Sequence, residues 1–260
     1  MAQSIIGGMI KNGWDSEQVI AATPSAETRN KVRDQFGISV FEHNLEATET
    51  DAVVICVKPG MVKEVLAELS PALEAKKPLL ISVAAGVTMK SLKRWSPGSL
   101  AIVRSMPNTP ALLGIGASGL FANGNVSEGQ KTLTQAIFNA AGISVWVENE
   151  ALIDAVIAVS GSGPAYYFLF MEAMKQKGIQ MGLAADVAEK LTLQTALGAA
   201  TMALGTDIDI AELRRRVCSP GGTTEQAVRS FLEGGINELV GEAMDSAAAR
   251  AKQMADELDK

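Results

Sequence analysis

The chain has 260 residues, 47% of them hydrophobic and 20% charged, which suits a globular protein of one large or two modest domains. Its net charge of -6 and the lack of any Lys/Arg-rich block argue against a nucleic-acid partner. The only cysteines, Cys56 and Cys218, lack C-x-x-C spacing and His43 is the single histidine, so no disulfide framework, bound metal or histidine-dependent triad is expected. The first residues show no secretory pattern and no apolar run reads as long enough for a bilayer, so the expectation is a cytoplasmic chain without a membrane partner.

QSIIGGMIKNG predicts a helix ending at Gly13, and QVIAAT a short strand. In SAETRNKVRDQFG, Ser25 is placed to cap a helix, Thr28 lies in its first turn, and Gly37 stops it. DAVVICV reads as a strand of continuous apolar character, MVKEVLAELSPAL as a helix, and PLLISVA as a second buried strand. TMKSLKRW follows as a short helix, then LAIVRSM and GISVWVEN as strands. Apolar strands separated by helices predict a parallel sheet covered on both faces, a doubly wound α/β domain over residues 1–149.

After residue 150 the segments are almost all helical, and residues 150–260 are expected to form an all-α domain. Ala196, Gly198, Ala199, Ala200 and Ala203 give one helix a broad face of small residues, suited to close packing within the chain or between subunits. Tyr166, Tyr167, Phe168 and Phe170 crowd the start of another and read as core or interface packing.

In a doubly wound sheet, ligands collect beyond the carboxyl ends of the strands. Thr23 and Ser25 follow the QVIAAT strand, Arg29 lies one turn on, and no acidic residue ends that strand, a pattern that favours NADP over NAD. Lys58 follows DAVVICV and precedes a proline, which predicts an extended backbone there. Ala84 and Ala85 leave room for a flat cofactor, and Asn108 sits in the rigid PNTP loop with its amide expected to be exposed. VCSPGGTTEQAV places Pro220 to break the preceding segment and Gly221 and Gly222 to permit close backbone approach. Thr223 or Thr224 is then placed to cap a helix, so the stretch reads either as an ordinary capped loop or as a helix start open to a small anion.

Taken in order along nearly the whole chain, VKPG, SVAAGVT, MPNTPA, SGSGPAY and VCSPGGTTEQAV resemble the pyrroline-5-carboxylate reductases. The resemblance implies a Rossmann domain, a C-terminal helical dimerisation domain often built into rings of dimers, and reduction of a cyclic imine to L-proline with NADPH or NADH. It implies cofactor contacts at Thr23, Asn44, Cys56, Val57, Lys58, Val83, Ala84 and Ala85, and places Glu150 and Asp207 near the substrate. Ser219, Gly222, Thr223 and Thr224 become the carboxylate- and imine-binding turn, with the Thr224 hydroxyl offered to the ring nitrogen. Arg216 stands where such proteins commonly carry Asn or Asp.

Proteins of this kind begin with an apolar strand and a G-x-G-x-x-A fingerprint, whereas Met1-Ala2-Gln3-Ser4 falls inside that motif. The missing strand is central in the usual order. The expectation is therefore a gap in the sheet, a pyrophosphate without its glycine turn, and a native polypeptide longer by roughly 8–12 residues. The residues leave two alternatives open: a Rossmann reductase of another imine or of a β-hydroxy acid, and a shortened, non-catalytic homologue that only assembles.

Overall fold

The computed structural model describes residues 1–259. The chain forms two compact units, Met1–Pro164 with Ser246–Lys260, and Ala165–Asp245.

The first unit opens with helix α1 (Ala2–Lys11), strand β1 (Ile20–Ala22), helix α2 (Ala26–Phe36) and strand β2 (Ser39–Phe41). Ser25 caps α2, its Oγ accepting from Thr28 N at 3.2 Å, and Gly37 closes it in the left-handed conformation, both as the sequence predicts. There follow β3 (Ala52–Ile55), α3 (Val62–Lys76), β4 (Leu79–Ser82), α4 (Met89–Trp95) and β5 (Ile102–Met106). The unit continues with β6 (Gly116–Ala122), α5 (Glu128–Asn139), β7 (Gly142–Trp146) and the short α6 (Leu152–Val156).

Strands β3, β4 and β5 pair in parallel, β5 and β6 antiparallel, and β6 and β7 in parallel. The expected parallel sheet is thus a mixed one. The reason is a tight 3-10 turn at Thr109–Leu113 that sends the chain straight back beside β5 instead of through a crossover helix. Strands β1 and β2 form a separate parallel pair, so β1 is bonded on one side only, as is β3. Being an edge, β3 alternates half-buried and buried residues instead of being covered throughout as expected. All four residues of β4 are buried: Leu79 and Ile81 join one apolar cluster with Ile5, Val32 and Phe138, while Leu80 joins the other with Leu66, Leu73, Leu92 and Ile102.

The second unit comprises α7 (Gly163–Gln180) from residue 165, α8 (Ala185–Leu204), α9 (Ile210–Arg216), α10 (Thr223–Glu233) and the first part of α11 (Ile236–Leu258). Among its described residues Ala188 is the one buried hydrophobic side chain, while Tyr167, Phe168, Leu169, Leu193, Leu197, Met202 and Leu239 are exposed. Phe170 and Phe231 meet within the unit, ring centroids 5.7 Å apart. A further expectation changes here. A π-helical turn at Ile157–Gly161 joins α6 to α7, and the resulting Leu152–Gln180 segment is, by length and composition, long and apolar enough to cross a membrane.

Candidate active site

Because β3 and β4 are parallel neighbours, the segments leaving their carboxyl ends lie side by side, and Val83 N donates to Ile55 O at 3.2 Å. This brings Cys56, Val57 and Lys58 beside Val83, Ala84 and Ala85. Burial pushes the Cys56 thiol up to about 11, so it stands there as a neutral, apolar wall. Lys58 is exposed, and its backbone is extended ahead of Pro59 as predicted. Ala84 is buried, with its N–H donating to Ser82 Oγ at 3.3 Å.

The ends of β1 and β2 are likewise joined, Thr23 N donating to Phe41 O at 3.0 Å. Arg29 does not stand open as a phosphate donor. Its Nη1 donates to Thr23 O and Pro24 O at 2.9 and 2.8 Å, and its Nη2 pairs with Glu42 at 2.9 Å, so it braces the loop that carries Thr23. The Ser25 hydroxyl serves the cap of α2, and Asn44 Nδ2 donates to Glu68 at 2.9 Å.

Asn108 is buried rather than exposed. Its Nδ2 donates to Ser160 O at 3.0 Å and its Oδ1 accepts from Ala117 N at 2.9 Å, so the amide clips the PNTP loop to β6 and to the π-helical turn. Glu150 is likewise engaged, Oε1 accepting from Met89 N at 2.6 Å and from Arg104 Nη1 at 2.7 Å. Sequence reasoning missed Arg104. A lone cation in the apolar LAIVRSM strand was the signal, since a charge buried to 5% exposure requires a partner. It also missed Ser4, buried in the first turn of α1, whose hydroxyl has no hydrogen-bond partner among the described residues.

In the second unit, Gly222 N donates to Ser219 O at 2.9 Å and Gly221 takes a φ of 72°, a conformation strained for any side chain with a Cβ. Helix α10 begins at Thr223 with Gly222 as its N-cap and no side-chain cap. Neither threonine caps the helix as expected, because the glycine turn delivers both into its first turn, where they are exposed and their amides have no intrahelical acceptor. Gly221 N donates to Glu225 Oε2 at 2.8 Å, so the turn already holds one carboxylate oxygen on a backbone amide. Ser219 and Asp207 are exposed. Arg216 and Arg215 pair with Glu212 at 3.0 and 2.6 Å, and the Arg216 hydrogen bond holds the Glu212 carboxyl below its ordinary value.

Residues 150–254 match the family model described as pyrroline-5-carboxylate reductase dimerisation. A pyrroline-5-carboxylate reductase of Pseudomonas aeruginosa is 49% identical over 259 residues, covering 99% of this chain and 94% of the relative. The chain belongs to the pyrroline-5-carboxylate reductase family. The structure of a pyrroline-5-carboxylate reductase from Coxiella burnetii superimposes with a TM-score of 0.95 at 42% identity, covering 98% of this chain and 94% of that one. A Plasmodium falciparum pyrroline carboxylate reductase with NADP bound gives a TM-score of 0.84 at 30% identity, covering 98% and 94%. Residues 1–86 match the model described as NADP oxidoreductase, coenzyme F420-dependent. The reductase family thus accounts for both parts of the chain, a Rossmann-like N-terminal region and a helical C-terminal one.

Proposed function

We propose that the protein reduces 1-pyrroline-5-carboxylate to L-proline, the closing step of proline synthesis, using NADPH, with NADH as a second donor. The observation that carries the reading is the start of α10, which has no side-chain cap and beside which the Gly221 amide already holds a carboxylate oxygen. A substrate carboxylate suits the amides of Thr223 and Thr224, favoured by charge-assisted hydrogen bonds and by the helix dipole. It would displace Glu225 or sit beside it. The Thr224 hydroxyl is placed at the ring nitrogen, its oxygen accepting from the protonated imine N–H, and Ser219 and Gly222 shape the turn. Asp207 completes the proposed substrate set. Glu150 belongs to it through the loop that it braces.

The residues of the first unit fit a dinucleotide. Cys56, Val57, Val83, Ala84 and Ala85 offer neutral, mostly small walls, Lys58 an exposed cation, and the buried Ser4 hydroxyl an unspent donor. Thr23, Ser25, Asn44 and Asn108 hold the loops around them. The substrate reacts as its protonated imine: the cofactor, when bound, supplies the hydride to the imine carbon, the C=N π pair returns to nitrogen, and the nitrogen keeps the proton it already carries, giving the neutral secondary amine. No histidine or metal is called on, and positioning is the main contribution of the protein.

We assign residues 1–149 to the dinucleotide and 150–260 to dimerisation and substrate. The exposed apolar helices support a homodimer through the C-terminal helices, and we extend this to a ring of dimers. On the same reading the apolar Leu152–Gln180 segment is covered by a second copy, and the enzyme is cytoplasmic with neither membrane nor nucleic acid as partner. The test is NADPH oxidation on addition of pyrroline-5-carboxylate. Saturable turnover forming proline is expected, and turnover only with a different imine or a β-hydroxy acid, or none at all, would overturn the assignment.

A further inference from the structure

We propose that the C-terminal end of α11 is a latch that holds the loop Val83–Thr88 in the shape the cofactor requires, with Asp259 as its positioning residue. The inference rests on the reading that Val83, Ala84 and Ala85 line the dinucleotide.

All the groups involved lie in the first unit. Asp259 places one carboxylate on three donors of α4: Oδ1 accepts from Ser91 Oγ at 2.6 Å and pairs with Arg94 Nη2 at 3.2 Å, and Oδ2 pairs with Lys90 Nζ at 2.9 Å. Arg94 Nη2 also donates to the backbone carbonyl of Asp259 at 2.8 Å. One residue earlier, Leu258 packs against the apolar cluster that contains Ala84, Val87 and Leu92. Between these anchors the loop rests directly on α11. At Gly86, where φ is 76°, an added Cβ would lie 3.2 Å from Leu258 Cδ1 and 3.3 Å from Met254 Cβ. A side chain there meets both a strained backbone and an occupied space.

The loop is held elsewhere by Val83 N on Ile55 O and Ala84 N on Ser82 Oγ at its start, by Val87 N on Ala84 O within it, and by Met89 N on Glu150 Oε1 at its end. Val87 is buried in the same apolar cluster that Leu258 joins, and at Gly86, just before it, the backbone lies against α11. The carboxylate is favoured by its donors, and the Lys90 hydrogen bond leads in holding the Asp259 carboxyl below its ordinary value, so the latch is charged at neutral pH. Its side chain remains 22% exposed, so removing the charge opens no cavity in the core.

Asp259→Asn in the full-length chain tests the proposal by two readouts. Hydrogen exchange at residues 83–88 needs no cofactor and should quicken by about fivefold, the scale of a few partly exposed charge-assisted contacts. The dissociation constant for NADPH should rise by about the same factor, with turnover at saturating NADPH and the thermal midpoint nearly unchanged, and Asp259→Glu should recover part of the loss. Unchanged exchange overturns the latch itself. Faster exchange with unchanged NADPH affinity overturns the cofactor role of the loop. An affinity loss accompanied by an equal loss of turnover and of thermal midpoint reduces Asp259 to a general stabilising contact, and also overturns the proposal.

Discussion

The two compact units spend their apolar residues in opposite ways. The first buries Phe138, Leu66, Leu79, Leu80, Ile81, Leu92 and Ile102 almost completely on the two faces of its sheet. The second has helices of comparable hydrophobicity but buries essentially one alanine, and leaves Phe168 and Leu204 at 64% and 88% exposure. A surface of that kind marks an association site, and a self-complementary patch on identical chains gives a two-fold dimer. The difference separates two tasks: the first unit is stabilised by its own core, and the second is stabilised by assembly.

The sharpest break of that contrast is a charge on the exposed helices. Phe168→Asp with Leu169→Asp should weaken self-association on the order of 100-fold or more, since a two-fold interface meets each change twice. Sedimentation at micromolar concentration should show monomer where the parent is dimeric or larger. Next comes the core of the first unit. Phe138→Ala should cost about 3–5 kcal/mol in unfolding experiments, whereas Leu197→Ala, measured on dissociated chains, should stay near ~0.5 kcal/mol. Equal effects would remove the distinction between the units.

The smallest effect concerns the thiols. With its thiol pushed up to about 11, Cys56 stays protonated at neutral pH, and its thiolate, the reactive form, grows only as pH rises toward that value. Alkylation of the native protein at pH 8, read by peptide mass, should modify Cys218 well ahead of Cys56, and denaturant should abolish the difference. Rapid labelling of Cys56 would mean that the segment after β3 is open.

Local signals in the sequence translated faithfully. Ser25 and Gly37 mark the ends of α2, and the alternation of apolar runs and helices marks most of the Rossmann-like unit. Strand β6 escaped notice because GASGLFA is too rich in small residues to announce a strand, and its place follows from the turn at Thr109–Leu113. Site chemistry was legible as residue type but not as partner. Arg29 reads as part of a pattern favouring NADP until the pairing of β1 with β2 brings Glu42 to it, and Asn108 reads as exposed until β6 returns to take its amide. Those partners are distant in sequence, so no local pattern contains them. The SPGGTT turn was visible because its geometry is set by residues within it: Gly221 at positive φ and Gly222 at the cap bring Thr223 and Thr224 into the first turn.

The central claim is that this turn grips the substrate, and Thr224→Ala addresses it most directly. The account predicts turnover about 10–100-fold lower, the value of one hydrogen bond to a charged nitrogen, with the NADPH dissociation constant and the oligomeric state unchanged. Full turnover in the variant, measured at saturating NADPH and pyrroline-5-carboxylate, would contradict it.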